Sequence, residues 1–175
     1  GRGCTMSPNV RMEIAGVRMD VPTGQPVVVL RELQGARRLP IWVGTNEATS
    51  IVFALQGIEP PRPLTHDLLL SVVDQLGRSV RDVVVHTVEN TVLHAAISFD
   101  DGTVVDARAS DALAIAARTS CPILCATAVL DEAGLVLSAD GELREQAGDS
   151  PQEAEAQVRE FRDFLDHVDP DDFQS

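Results

Sequence analysis

One local pattern occurs twice in this 175-residue chain, at Asn46 and again at Ser110, which is 64 residues later. In each copy, runs of alternating apolar and polar residues flank a turn signal, and a polar cap, an acid and an amphipathic helix follow. The acid is Glu47 in the first copy and Asp111 in the second. We interpret the two copies as an internal duplication of a β-β-β-α-α unit, with repeats over about 10–77 and 81–134.

The hairpins decide the fold class, because strands joined by tight turns pair antiparallel. We therefore predict an α+β fold in which a mostly antiparallel, barrel-like sheet is flanked by helices, with a further C-terminal helix. The first strand slips its alternation once at Ala15-Gly16, which indicates a β-bulge. Asn46, Thr65 and Ser110 are the predicted N-caps of three helices.

Composition restricts the core and the compartment. Apolar residues make up 44% of the chain and aromatic residues 3%, so the core must be mainly aliphatic. The three cysteines are odd in number and no leader pattern precedes the first strand, which predicts a reduced, cytoplasmic protein. No apolar run is long enough to span a bilayer, so we expect no membrane partner.

Charge divides the chain into segments. Residues 131–175 hold 14 acids and 3 arginines, whereas the remainder is nearly neutral. We predict a disordered or expression-derived N-terminus over 1–9, one domain over 10–137, an acidic linker over 138–149 and an acidic C-terminal helix and tail over 150–175.

A first cluster of polar side chains lies between Arg62 and Asp67, where a proline-rich loop meets a helix. Helix capping explains Thr65 and Asp67, but it does not explain Arg62 and His66. A histidine at a helix start is disfavoured as a cation, so a neutral imidazole that accepts protons is one interpretation. A solvated surface histidine is the other.

A second cluster holds Asp106, Arg108 and Asp111 at a strand-to-helix junction, and Glu47 is the counterpart of Asp111 in the first repeat. Helix starts present backbone N–H groups to anions, and the carboxylates are suited instead to a divalent ion. An ion pair and an ordinary helix cap would also account for these residues. The sequence contains no zinc spacing, nucleophile elbow or dinucleotide-binding fingerprint.

Four segments carry a family resemblance: "LPIWVG", "PPRPLTHDL", "VVDARASDALAIAART" and "FLDHVDPDDF". Together they resemble the bifunctional nuclease domain family, in its actinobacterial branch. The resemblance covers residues 10–137 and implies a duplicated β/α unit, a tendency to dimerise and degradation of both DNA and RNA. The chain departs from the family at Ala109, where a proline is usual, and at Cys125, where an aliphatic residue is usual.

The resemblance and the two clusters together predict a nuclease that hydrolyses phosphodiester bonds of RNA and DNA, with Mg²⁺ or Mn²⁺ as a candidate cofactor. The alternative is a non-catalytic anion- or nucleotide-binding, or regulatory, dimeric protein. In both cases we expect a homodimer. The candidate catalytic residues are His66, Asp67, Arg62, Arg108 and Asp111, and the candidate metal ligands are Asp106, Asp111 and Glu47.

Overall fold

The computed structural model describes residues 8–137 and 143–145. These residues form nine strands and four helices. In chain order they are β1 (Asn9–Met19), β2 (Pro26–Glu32), β3 (Arg37–Trp42), α1 (Thr45–Gln56), α2 (Thr65–Gln75), β4 (Val80–Glu89), β5 (Val92–Phe99), β6 (Val104–Arg108), α3 (Ala109–Thr119), β7 (Ile123–Ala126), α4 (Thr127–Ala133), β8 (Leu135–Leu137) and β9 (Leu143–Glu145).

All described strands belong to one sheet, in the order β6-β5-β4-β7-β1-β2-β3-β8-β9. Every neighbouring pair is antiparallel except β4 and β7, which are parallel. The β4-β5-β6 meander and the β1-β2-β3 meander are joined through β7, which bonds to the first strand of each. The predicted α+β class with a mostly antiparallel sheet is confirmed.

The predicted barrel is not confirmed, because β6 and β9 remain unpaired edges among the described residues. The sheet nevertheless curls. Helix α4 contacts both β3 and β4, which are four strand spacings apart and would be separated by about 19 Å in a flat sheet. The second half also departs from the β-β-β-α-α order because β7 separates α3 from α4. The duplication stays a prediction.

Local sequence signals account for the irregularities of the strands. The β1–β2 pairing skips Ala15 between Ile14 and Gly16, which confirms the predicted bulge. The turn between β5 and β6 contains Gly102 at φ 91°, a left-handed conformation that favours glycine. The first strand therefore bends where the alternation slips, and the hairpin closes where the turn residues occur.

The core is aliphatic, as the composition predicts. Strand β2 buries Val27 to Leu30 without alternation because both of its faces are covered. Helix α3 packs against α1 and against strands β4, β5 and β6. It buries six residues, which are Ala109, Ala112, Leu113, Ala114, Ile115 and Ala116. Four of these are alanines, which allow close approach of the neighbouring backbones.

The predicted N-caps are wrong, because each helix begins earlier than its polar residue. The N-caps are Gly44 for α1, Leu64 for α2 and Arg108 for α3, and none of the three makes a side-chain cap hydrogen bond. Asn46 and Ser110 therefore occupy the second helical position. Their acidic neighbours, Glu47 and Asp111, occupy the third, where the helix dipole favours a carboxylate.

Some predicted segments lie outside the described residues. These are the helix and tail over 150–175, most of the N-terminal segment, and the linker over 138–149 except for residues 143–145, which form β9. No helix in the described part of the chain is long and apolar enough to cross a membrane.

Candidate functional site

The site lies where α1, α2 and α3 meet, and the His66 imidazole is at its centre. Its Nδ1 atom is 2.7 Å from Ser50 Oγ, and its Nε2 atom is 2.9 Å from Asp111 Oδ1. An Nε2–H donates to the carboxylate, so in the neutral ring Nδ1 accepts the Ser50 hydroxyl proton. The side chain of His66 is 11% exposed, and both ring nitrogens are engaged.

Arg108 joins Asp111 to Glu47. Its Nε donates to Asp111 Oδ2 at 2.8 Å, and its Nη2 donates to Asp111 Oδ1 at 3.1 Å and to Glu47 Oε1 at 2.9 Å. This is the bidentate geometry that a guanidinium forms with a carboxylate. The Arg108 side chain is 66% exposed, so it is the solvent-facing end of a chain of contacts that runs inward to His66 and Ser50.

Electrostatics follows from these contacts. Burial raises the pKa of Asp111, but hydrogen bonds from Arg108 and His66 outweigh burial and leave that pKa below its usual value. Hydrogen bonds to Asp111 and Glu47 raise the pKa of Arg108 above its ordinary value. The carboxylate and the guanidinium therefore both remain ionised at neutral pH.

Gly44 allows the Glu47 carboxylate to reach Arg108. A Cβ at position 44 would lie 2.3 Å from Glu47 Oε2, which is closer than any real contact. Glycine at the N-cap thus gives the first-turn acid room to fold back over the helix start. The cap residue and the acid act together to shape this edge of the site.

Asp67 has a different set of partners, centred on Arg118. Arg118 Nε donates to Asp67 Oδ1 at 2.7 Å, and Nη1 donates to the carbonyls of Ser50 at 3.2 Å and Ala114 at 3.1 Å. The backbone N–H of Leu64 donates to Asp67 Oδ2 at 2.9 Å. The Arg118 hydrogen bond is the main reason why the pKa of Asp67 is lowered. Asp67 therefore holds α2 against α1 and α3.

Sequence reasoning missed Arg118 and Ser50. The Arg118 side chain is only 8% exposed at the end of α3, where a C-terminal arginine usually faces solvent. Ser50 lies on the buried face of α1 between Ala48 and Ile51. A polar residue on an otherwise apolar face was a signal in the sequence for Ser50, since buried hydroxyls require a partner. No comparable signal marks Arg118.

Two candidate residues stand apart from the network. Arg62 is exposed in the loop before α2, and Asp106 is exposed on β6. Neither side chain makes a hydrogen bond or ion pair within the part of the chain that the structure describes. The structure thus brings together His66, Arg108, Asp111 and Glu47, and it places Asp67 in the neighbouring contact with Arg118.

The predicted metal ligands do not fit a cation as they are arranged. Glu47 and Asp111 both accept hydrogen bonds from Arg108, whose positive charge already occupies the space between them. Within residues 8–137 and 143–145, no three His, Cys, Asp or Glu side chains are grouped as a metal site requires. Metal dependence stays a prediction, and no chemical step below is routed through a metal.

A cavity of about 810 Å³ adjoins the network at Arg108. Its wall includes the ends of two helices, at Gly44 and Ser110, and the side chain of Trp42 at the end of β3. Residues of the β4–β5 hairpin, including Val92, also line it. Arg108 therefore belongs both to the polar network and to a space that is large enough for a small ligand.

Chemically, the arrangement couples an exposed cation to a partly buried Asp111–His66 pair. Ser50 is buried and is not placed to attack a ligand, so it orients the imidazole. Asp111 contacts both His66 and the guanidinium, and its side chain is 31% exposed. An anion that binds Arg108 would compete with Asp111 for the guanidinium, and this competition would raise the pKa of Asp111, which Arg108 helps to lower.

Comparisons with known proteins point to one family. A family profile described as a bifunctional nuclease domain matches residues 28–138. Two proteins of Mycobacterium tuberculosis, named uncharacterized protein MT1877 and uncharacterized protein Rv1829, are each 42% identical to this chain over 164 residues. Each alignment covers 94% of this chain and 98% of the relative.

Proposed function

We propose that this chain, which belongs to the bifunctional nuclease domain family, hydrolyses phosphodiester bonds of RNA and DNA. The observation that carries the proposal is the continuous contact from the exposed Arg108 through Asp111 to His66, beside a ligand-sized cavity. A nuclease needs a phosphate-binding cation next to a group that handles a proton, and this network supplies both.

Arg108 is the proposed phosphate ligand. Its planar fork suits a phosphate as well as it suits a carboxylate, and it would stabilise charge that develops on the phosphoryl oxygens. Arg62, exposed in the loop before α2, is a second candidate phosphate contact. Asp67 is assigned a positioning role because Arg118 and the Leu64 N–H engage it.

Asp111 is the proposed base for the attacking water, and His66 orients the Asp111 carboxylate. Because Arg108 lowers the pKa of Asp111, a phosphate that draws the guanidinium away makes Asp111 a stronger base. Water then forms a bond to phosphorus and loses its proton to Asp111, while the bond from phosphorus to the leaving sugar oxygen breaks. The leaving oxygen takes a proton from solvent, and Asp111 later releases its own.

The test is cleavage of labelled single-stranded RNA and of plasmid DNA, with Mg²⁺, with Mn²⁺ and with EDTA. Asp111→Asn should lower the rate by about 10²- to 10⁴-fold, the usual range for removal of a general base. Asp106→Asn is a matched control, because Asp106 is an exposed carboxylate on β6 that lies outside the hydrogen-bond network. Equal activity of Asp111→Asn and the parent would reject the mechanism, and a comparable loss in Asp106→Asn would support the metal-ligand interpretation.

The second candidate function is binding of an anion or nucleotide without turnover. Both ring nitrogens of His66 already have partners, and Arg108 is already paired with two carboxylates. Such a saturated network suits a stable binding surface as well as a catalyst. Ligand-dependent thermal stabilisation in the absence of any cleavage would favour this function.

The same proposal includes a homodimer, and it places the protein in the cytoplasm. Helix α2 buries none of its residues and exposes Leu68, Leu69, Val72 and, at its C-cap, Leu76. An apolar face of this kind marks an interaction surface, and a second copy can cover it through two-fold symmetry. Light scattering should give twice the chain mass for the parent and a monomer for Val72→Glu. A parent monomer at high concentration would remove this part of the proposal.

A further inference from the structure

Trp42 is exposed although its strand builds the core. Leu39 and Ile41 of β3 are buried, whereas Trp42 is 49% exposed. Its indole Nε1–H donates to Asp20 Oδ2 at 3.4 Å, which restrains the orientation of the ring. A large aromatic side chain that is held in place but left open to solvent does not contribute its full area to folding. Trp42 is therefore available to a ligand.

Trp42 lines the same cavity as Arg108. The volume of about 810 Å³ is within the range of pockets that hold small ligands. Most of the residues that line the cavity are apolar, and Ile41, Val43 and Leu93 are among them. Trp42 and Arg108 therefore line one space, which suits a ligand that combines a flat, largely apolar group with a negatively charged group.

The charge of the wall limits how much anion the cavity accepts. Arg108 is the one cation among the described residues that line it, and Asp20 and Glu132 are acids. Such a wall offers no basic track along which a polyanion could lie, but it accepts one phosphate on the exposed guanidinium. The ligand must therefore combine a flat ring with about one contacted phosphate.

We propose that Trp42 is a stacking platform for one unpaired base, and that a phosphate of the same nucleotide unit contacts Arg108. The inference rests on the proposed function and names its substrate class: single-stranded nucleic acid rather than duplex. Aromatic side chains stack on the faces of unpaired bases, whereas a duplex covers both faces of each internal base. The platform selects for unpaired bases irrespective of base identity, since every base has a flat face.

The chain contains a built-in probe of this contact. It has one tryptophan and no tyrosine, so its fluorescence on excitation at the red edge of indole absorption reports on Trp42 alone. A single-stranded hexanucleotide should quench this emission, whereas the same hexanucleotide in a duplex and a base-free sugar-phosphate oligomer of equal charge should not. Equal quenching by the base-free oligomer or by the duplex would overturn the inference.

Variants test the same contact by anisotropy of a labelled single strand. Removal of one base–aromatic stack should weaken binding by roughly 5- to 150-fold in Trp42→Leu, and Trp42→Phe should lie between this variant and the parent. Val104→Thr is the control, because Val104 is exposed on β6 and does not line the cavity. Unchanged affinity in Trp42→Leu would contradict the inference.

Salt dependence provides an independent measurement on the parent protein. One contacted phosphate predicts a slope of about −0.7 for log affinity against log salt with a single strand. A slope several times steeper would show a polyanion track in place of a single-nucleotide contact, which contradicts the inference.

The inference and the proposed function fail in different ways. If Trp42→Leu binds and cleaves a single strand as the parent does while Asp111→Asn does not cleave, the stacking platform is wrong and the nuclease stands. If unpaired bases quench Trp42 but no variant or parent cleaves any substrate, the nuclease is wrong and the platform stands.

Discussion

Helices α2 and α3 both supply site residues, but they are held in place by different forces. Helix α3 buries six residues in the core, whereas α2 buries none. His66 and Asp67 on α2 are held by hydrogen bonds to Ser50, Asp111 and Arg118. Asp111 and Arg118 are therefore fixed by packing, and His66 is fixed by polar contacts to them. Together with Leu70, which is partly buried against the core, the functional contacts of α2 also attach the helix.

The largest expected effect on the free energy of unfolding comes from truncating a buried side chain of α3. Leu113 on α3 is completely buried, so Leu113→Ala should lower the free energy of unfolding by about 2–5 kcal/mol. Leu69→Ala on α2, where the side chain is 42% exposed, should change it by about 0.5 kcal/mol or less. Urea denaturation followed by circular dichroism measures both. Similar losses in the two variants would mean that α2 is packed as firmly as α3.

An intermediate effect is expected from the polar attachment. Arg118→Met removes the cation that holds Asp67 and the two carbonyls of Ser50 and Ala114. Because Asp67 is partly exposed, we expect a loss of about 1–2 kcal/mol rather than the full cost of breaking a buried pair.

Amide hydrogen exchange localises the effect of Arg118→Met. Protection should fall in α2 and remain in α3, because polar contacts hold α2 with only Leu70 packed against the core, whereas α3 buries six residues. Equal loss of protection in both helices would show that the two move as one unit. Arg118→Lys is the matched control for charge, since lysine keeps the cation but loses the fork geometry.

The smallest expected effect is on stability against pH. Asp67 and Asp111 have pKa values below those of the unfolded chain, with Arg118 as the main cause for Asp67. The stability they contribute is present above the unfolded pKa of about 3.9 and is lost as pH falls through their lower folded values. Denaturation midpoints should therefore fall below about pH 4 in the parent.

Arg118→Met sharpens this measurement. Without the guanidinium, the pKa of Asp67 returns toward its ordinary value, so the variant should lose less stability on acidification than the parent does. An identical acid slope in the two proteins would show that the Asp67–Arg118 contact does not stabilise the fold.

Much of the fold was predictable because its signals are local. Alternation marked the strands, a slip at Ala15 marked the bulge, and turn residues marked the hairpins. Helix starts were less predictable. Gly44 and Arg108 are the N-caps in place of Asn46 and Ser110, and neither makes a side-chain cap hydrogen bond, so the cap preferences of the polar residues did not locate these helix starts. The polar clusters were recognised because many hydrogen-bonding and charged side chains occur together at helix starts, and capping left Arg62 and His66 unexplained.

The sequence alone determined the α+β class, the aliphatic core and the two polar clusters, since each depends on side chains that are neighbours along the chain. Tertiary structure decided that β7 joins the two meanders, that His66 meets Asp111 across 45 residues, and that Arg118 turns inward. The physical reason is that local periodicity encodes which face of an element is buried. It does not encode which distant element covers that face. The packing of α1 against α3 decides which element does.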